Sequence, residues 1–462
     1  MEPKEPSLSQ ENNSSQVEIS PEQIQVRQKI MDVLDRIDTR YAYSDKLLAN
    51  ELNDLSDLDK KLATEIIHGV MRWREKLDWY IIQLYNGDFE SLLQSVKSIL
   101  RAALYQLIFL DKVPAYAVLN ESVELAKKKF NQRTANLVNA ILRNYLRQDK
   151  KLEWMLTQLD ILEKYSIQLS HPKWLIQRWI EYWGIDEVEK LCLANNQVPD
   201  IFVKRNTLKV DKQEFESLLD SKDIEYEADS ILPNFYKISN FQKFKNSHLL
   251  EEGYAFVQDP SAALPVILLQ PEANNLVWDM CAAPGAKSVH LGLLTEDKAK
   301  IIASDIYLNR VILIKKISKN LGLKKIYPIV GDSISLEFKE QFDKILLDAP
   351  CSGFGVLRKR TDLRWKKTEK DIADLNNLQY RLLEKAARAL KSGGELVYST
   401  CTIELAENDL VIDQFLNHHQ EFSVLPAGNR LDKKWVDEKG FVRTFPHRHQ
   451  IDGSFAVLLK KS

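Results

Sequence analysis

Over its last two hundred residues the chain alternates short apolar runs with helix-length amphipathic stretches, and this constrains the fold more than any other feature. The β-prone runs fall at 276–280, 301–305, 326–330, 344–348, 395–399 and 455–459. Strand signals separated by helical patterns predict a parallel sheet with crossover helices. Three of the runs lead directly into loops bearing Gly, Asp or Cys. Open α/β sheets bind ligands outside the carboxyl ends of their strands, so these loops are expected to converge on one site.

The rest of the chain reads differently. Between 21 and 149 it is nearly all helical: Leu58, Leu62, Ile66 and Val70 form one stripe, and Ile99, Ala103, Leu107 and Leu110 another. Such stripes are most often plain core. Leu137, Ile141 and Leu142 share a helix face opposite Arg143 and Arg147. A polar, partly helical connector follows over 150–170, then a Trp-rich helical stretch to 195. Short β-prone runs at 201–203 and 235–238 suggest a small α+β module. At 462 residues, two or three domains are expected. We therefore expect a multidomain protein: a disordered tail over 1–20, an all-α domain over 21–150, a helical connector with the α+β module over 151–250, and an α/β domain over 251–462.

Composition excludes little. The chain is 44% hydrophobic and 28% charged, ordinary for a globular protein. Neither a membrane-length apolar run nor an amino-terminal apolar signal core occurs, so a cytoplasmic protein without membrane contact is expected. The net charge of −2 does not announce a nucleic-acid binder, but 310–325 carries six basic residues and no acid, and 358–370 seven basic and two acidic. A neutral total can conceal a basic face; the plain alternative is a solvated helix face. Cys192, Cys281, Cys351 and Cys401 match no zinc spacing, and no metal is expected.

The first strand runs into Asp279-Met280-Cys281-Ala282-Ala283-Pro284-Gly285-Ala286-Lys287-Ser288. This loop lacks both the dinucleotide glycine fingerprint and the phosphate-cradling P-loop spacing. Its small residues admit close backbone approach to a ligand. Asp305 ends the second strand, where an acid commonly meets ribose hydroxyls. Asp332 follows the third, placed for an adenine edge. Either Asp alone reads equally as a helix cap; their order along successive strand ends favours a cofactor with ribose and adenine but no pyrophosphate. S-adenosyl-L-methionine fits that description.

Two thiols sit in short motifs after the fourth and fifth strands: Asp348-Ala349-Pro350-Cys351-Ser352-Gly353 and Tyr398-Ser399-Thr400-Cys401-Thr402. Carbon 5 of cytosine is a weak nucleophile until a thiolate adds at carbon 6 and makes it enamine-like. A methyl-donor loop with two candidate thiols suits that covalent route. Asp348 is placed to hydrogen-bond the ring at nitrogen 3. Cys401 lies next to the cofactor cleft and Cys351 in the adjacent loop, close enough to help discharge the product. Cys192 and Cys281 read as structural.

These three stretches resemble the bacterial RNA cytosine-5 methyltransferases of the RsmB/NOP family, and the likeness extends from about residue 21 to the end. It is carried further by Gln258-Asp259-Pro260-Ser261-Ala262 and by the final 445–455 segment. Gly69-Val70-Met71-Arg72, 99–107 and 138–144 resemble a NusB-like RNA-binding domain. The resemblance implies a NusB-like helical domain, the linking module and a Rossmann-like S-adenosylmethionine-dependent methyltransferase domain. It implies Cys401 as nucleophile and Cys351 as the thiol for product release, with Cys351 as alternative nucleophile if the DNA-type arrangement applied. It implies cofactor contacts from Cys281, Ala282, Ala283, Pro284, Gly285, Ala286, Lys287, Asp305, Asp332 and Asp348. The substrate implied is a cytosine of small-subunit (16S) ribosomal RNA, held with help from 358–370 and the basic helices, by a monomer. Transfer RNA as substrate, and a non-catalytic RNA-binding scaffold, are the alternatives. Ala286, Thr361 and Ser454 depart from common family residues; Ala286 in particular requires a right-handed backbone where relatives usually have Gly.

Overall fold

Apolar residues at helical spacing build the amino-terminal part. The computed structural model describes residues 21–40 and 51–462; the tail expected over 1–20 lies outside the described residues. The chain divides into two compact units, Met1–Ser170 and His171–Ser462. In the first, helices α1 (Pro21–Arg40), α2 (Asp57–Arg72), α3 (Arg74–Leu84), α4 (Gln94–Phe109), α5 (Ala115–Lys129), α6 (Gln132–Thr157) and α7 (Ile161–Leu169) follow one another. Arg101 of α4 is buried and bonds Asp78 at 2.6 and 2.8 Å and Asp38 at 2.7 Å. A buried guanidinium requires such pairing, so this cluster ties α1, α3 and α4 together.

Two expectations change here. Ile66 and Val70 are buried, but Leu58 is 80% exposed. At about 100° per residue, each four-residue step drifts about 40° around the helix, so Leu58 leaves the face Val70 occupies. The connector expected from 150 is also helical: α6 continues to Thr157, and Asp160 caps α7 by accepting from the Leu162 and Glu163 amides. Leu152 and Leu156 are buried, which holds that extension in the first unit.

The second unit opens with α8 (Lys173–Trp183) and α9 (Ile185–Asn195). Strands β1 (Ile201–Arg205), β2 (Tyr226–Ala228), β3 (Phe235–Ile238) and β4 (Ala255–Val257) form an antiparallel sheet in the order β2-β3-β1-β4, with α10 (Lys212–Ser221) and α11 (Phe241–Asn246). β4 carries this module beyond the expected limit at 250. Leu232, Phe235 and Phe256 of the module share a core with the larger sheet, which is why the two make one compact unit.

The larger sheet comprises β5 (Leu276–Met280), β6 (Lys300–Asp305), β7 (Ile326–Val330), β8 (Phe342–Asp348), β9 (Leu390–Thr400), β10 (Phe422–Leu425), β11 (Val442–Thr444) and β12 (Ser454–Lys461). Its order is β10-β12-β9-β8-β5-β6-β7, with β11 beside β12. β5 to β9 pair in parallel, and β12 returns antiparallel to β9, with Phe455 opposite Thr400. Alternation sends Val277 into the core under α12 (Pro260–Leu269), α13 (Ala286–Leu294) and α14 (Leu308–Asn320). It sends Trp278 and Met280 into the core under α15 (Glu369–Ala389) and α16 (Asp409–His418). The six strands expected from sequence are present. β10 and β11 are new; each is four residues or fewer at the sheet margin, too short for a periodic signal. Among the described residues no helix is long and apolar enough to cross a membrane.

Glu395 on β9 is clamped by Lys344 of β8 and by Arg430, whose two nitrogens lie 3.0 Å from its two oxygens. Burial alone raises a carboxyl pKa, yet the two cations outweigh it and hold Glu395 at about 2. A folded-state value below the unfolded one stabilises the fold above about pH 4.5, and this stability disappears as pH falls toward 2. Glu395→Gln is expected to lower stability at pH 7 by about 2 kcal/mol and to flatten the dependence below pH 4.5. Thermal midpoints of both proteins measured from pH 7 to pH 3 check both effects; parallel curves contradict the assignment.

Candidate active site

The carboxyl ends of β9, β8, β5, β6 and β7 lie side by side, and every proposed site residue falls at that edge. The strand order reverses between β5 and β8, where an open sheet leaves a crevice. Lys287, in the first turn of α13 after β5, spans it to Asp348 at the end of β8, with Nζ 2.6 Å from Oδ2. Burial disfavours the lysine's charge, but Asp348 more than compensates and raises its pKa. The other Asp348 oxygen accepts from Ser399 Oγ at 3.0 Å.

The loop after β5 is shaped by its backbone. Cys281 takes a left-handed φ of 57°, the Ala283–Pro284 peptide is cis, and Gly285 caps α13 at φ 108°. A Cβ on Gly285 would lie 3.0 Å from Ile314 Cα, so both conformation and space require glycine there. Ala286 is already right-handed helix, so its departure from the family pattern costs nothing. The Ala282 amide donates to Ser304 O at 2.8 Å, and Arg310 Nη2 to Ala283 O at 2.8 Å. Arg310 also lies 3.3 Å from Asp305, which accepts from the Tyr307 amide at 3.1 Å. Asp332, exposed after β7, accepts from the Ile334 amide at 3.0 Å. Arg310 was not among the expected residues; its place in the first turn after the strand-ending acid was the available signal.

Asp279, the fourth residue of β5, is fully buried. One of its oxygens accepts from Ser288, and the other has no partner among the described residues. Burial, with Asp348 nearby, raises its pKa to about 7. Burial likewise raises Cys281 and Cys192 to about 12, leaving both as unreactive thiols.

The two motif thiols meet. Cys351 Sγ and Cys401 Sγ are 3.3 Å apart, a sulfur hydrogen bond rather than a disulfide of about 2.05 Å. Their surroundings differ. The hydrogen bond shared with Cys351 lowers the Cys401 pKa; burial and Asp348 oppose that shift, while Lys287 and Arg360 add to it. The same bond, burial, and the charges of Glu407 and Asp348 drive Cys351 well up. Of the two, Cys401 is the thiol more easily ionised and Cys351 the one held protonated.

Buried polar groups fix both loops. Glu407 accepts from the Ser352 amide at 2.8 Å and Gln379 Nε2 at 3.0 Å, and Gln379 also bonds Pro350 O at 2.9 Å. Glu404, fully buried, accepts from Arg178 at 2.8 Å and Tyr182 OH at 2.9 Å, anchoring the segment after Cys401 to α8. The Gly355 amide donates to Cys401 O at 3.1 Å and the Gly453 amide to Gly355 O at 2.8 Å. Any Cβ on Gly355 would collide with Gly453 O at 2.0 Å. None of these partners stands out in the sequence; lone acids give no sign of burial.

The 358–370 segment differs from its expected role. Lys359 is held by Asp259 and Asp452, Arg358 pairs with Asp452 at 3.2 Å, Lys366 pairs with Asp362 at 2.7 Å, and Arg364 is fully buried against Asn195 and Asn196. Most of its charge is consumed inside the protein.

Comparison with known proteins gives a consistent picture. Residues 266–460 match the model described as 16S rRNA methyltransferase RsmB/F, 24–147 the NusB family, and 171–243 the RsmF/B-like ferredoxin-like domain. The chain is 32% identical over 449 residues to the probable ribosomal RNA small subunit methyltransferase B of Bacillus subtilis, covering 94% of this chain and 98% of that protein. It is 34% identical over 459 residues to the protein of the same description from Synechocystis sp., covering 95% and 100%. Among solved structures, a methyltransferase homolog protein from Pyrococcus horikoshii is 28% identical with a TM-score of 0.58, covering 66% of this chain and 100% of its own.

Because Lys287 both favours the Cys401 thiolate and neutralises Asp348, its loss acts twice in one direction. Lys287→Gln is expected to raise the Cys401 pKa, shifting the pH profile of iodoacetamide alkylation at this residue upward. Peptide mass spectrometry across pH 6–10 reads the shift. An unmoved profile would sink the electrostatic account.

Proposed function

Because the chain belongs to the RsmB/F family of 16S rRNA methyltransferases, we propose that it transfers a methyl group from S-adenosylmethionine to carbon 5 of one cytosine in small-subunit ribosomal RNA. The observation that carries this reading is the thiol pair, 3.3 Å apart, at the carboxyl ends of β8 and β9. The cofactor is matched by the chemistry of the edge. Acids at the ends of β5, β6 and β7 suit hydroxyl and amine donors, one Asp279 oxygen is unpaired among the described residues, and the loop after β5 lacks the P-loop spacing. Asp305, Asp332, the Cys281–Lys287 loop and Asp348 are the residues that would hold it. When bound, S-adenosylmethionine supplies an electrophilic methyl group.

The chain's own residues do the rest. The target base is unstacked into the crevice, since a thiol cannot reach carbon 6 within a stack. Cys401, as thiolate, adds at carbon 6 and makes carbon 5 nucleophilic. Asp348 accepts from Lys287 and Ser399, and nitrogen 3 is itself an acceptor, so the ammonium of Lys287 is the donor that can serve both. Addition at carbon 6 makes nitrogen 3 more basic, so it takes a proton from that ammonium and returns it when Cys401 leaves. Once Cys401 is a thioether, its hydrogen bond and charge no longer raise the Cys351 pKa, though burial, Glu407 and Asp348 still do. Cys351 can then ionise, releasing its proton to solvent, and accept the proton of carbon 5. Expulsion of Cys401 frees the product. Free thiols are required throughout, which suits a reducing cytoplasm.

Labelled S-adenosylmethionine incubated with unmodified small-subunit RNA is expected to give one 5-methylcytosine on nuclease mapping by mass spectrometry. Transfer RNA in parallel is expected to stay unmodified; the opposite result moves the substrate. Cys401→Ala is expected to form neither adduct nor product, whereas Cys351→Ala is expected to accumulate a covalent protein–RNA species on denaturing gels. Reversed phenotypes would exchange the two roles.

A further inference from the structure

We propose that the outer surface of α14 and the loop after it binds the phosphate backbone of RNA flanking the target, an inference that rests on the RNA-methyltransferase reading above. Lys315, Lys316, Lys319, Lys324 and Lys325 are all exposed there. Among the described residues none of the five takes part in an ion pair. Lys243, Lys298, Lys385 and Lys391, on other surfaces, are each held by an acid. The basic 358–370 segment is mostly consumed by internal partners, as described above.

A structural explanation covers only part of the cluster. A cation in the last helical turn favours the helix dipole, which accounts for Lys319. Lys315 and Lys316 lie earlier, and Lys324 and Lys325 lie beyond the helix. Five uncompensated like charges repel one another, so the surface is at its best with an anionic partner. Three of them, Lys315, Lys319 and Lys324, rim a groove of about 680 Å³ between α14 and β7, with Ile312, Pro328 and Val330 in its lining. Acids are few: Asp297 accepts from the Lys324 and Lys325 amides at 2.8 and 2.9 Å, and Glu251 and Glu252 share a second groove with Lys316 and Lys319. A basic rim without acids along an extended groove is the electrostatic footprint of a nucleic-acid backbone.

The position is useful. α14 starts directly after Asp305 at the reactive edge, and Lys315, Lys316 and Lys319 lie roughly 10 to 17 Å along its axis from that start. They would hold RNA several nucleotides from the flipped base. Binding there adds affinity and register without touching the chemistry.

The test compares the full-length protein with K315Q/K316Q/K319Q in fluorescence anisotropy on an unmodified small-subunit RNA fragment at several salt concentrations. The expected result is a Kd about tenfold higher near 0.1 M salt, with the slope of log K against log salt reduced by about 3, one for each lysine that no longer neutralises a phosphate. kcat at saturating RNA and the thermal midpoint should be unchanged, with KM raised. A wild-type protein that binds and methylates RNA, alongside a variant with the same Kd and slope, overturns this inference and leaves the function standing. A wild-type protein that neither binds nor methylates RNA overturns both. A variant that binds naked RNA normally but no longer associates with ribosomal protein–RNA particles overturns it in favour of a protein partner.

Discussion

The Lys287–Asp348 ion pair is the contact on which the site depends. It joins the helix after β5 to the end of β8 across the point where strand order reverses. Burial disfavours the charge on Lys287 and Asp348 restores it, while without the lysine the carboxylate would face the thiols unscreened. With the pair intact, positive charge lies next to Cys401 while the carboxylate stays fixed by Ser399. Two strands that meet only in the fold thereby set the protonation of a cysteine on a third.

The two thiols show how little difference is needed to divide labour. They share one hydrogen bond, and either sulfur is able to donate. The asymmetry comes from the periphery: Lys287 and Arg360 on the Cys401 side, Glu407 on the Cys351 side. Glu407 is also the acceptor that orders the Ser352 amide and Gln379. One buried carboxyl therefore shapes the Cys351 loop and adds to the burial and the Cys401 contact that raise that thiol's pKa.

The strand–helix alternation was legible in sequence because buried parallel strands are continuous apolar runs, and all six runs from 276 onward are strands. The site edge was legible for the same reason: Asp305, Asp332, Asp348, Cys351 and Cys401 sit where strands end. Charge was not legible. The 310–325 and 358–370 runs look alike on paper, yet Lys315 and Lys319 face solvent without ion pairs, while Lys359 is held by two acids and Arg364 is fully buried. Pairing depends on acids such as Asp259 and Asp452, remote in sequence, that no local pattern connects. The partly helical reading of 150–170 agrees with the structure, but its polar look hid that Leu152 and Leu156 are buried and that α6 runs on to Thr157.

Enclosing Lys359 has a structural consequence for the reaction centre. Its two acids come from the segment leading into α12 and from the residue before Gly453, so one ammonium gathers three distant pieces of chain. Those same pieces carry the Gly355–Gly453 contact and, through the Gly355 amide, the Cys401 carbonyl. Buried charges tolerate no half-formed state, because each acid left without its partner would carry an uncompensated desolvation cost. The segments must therefore close together or not at all. The backbone of the nucleophile is fixed by an ion cluster that never meets the substrate, and the basic residues that look most suited to RNA are the ones the fold cannot release.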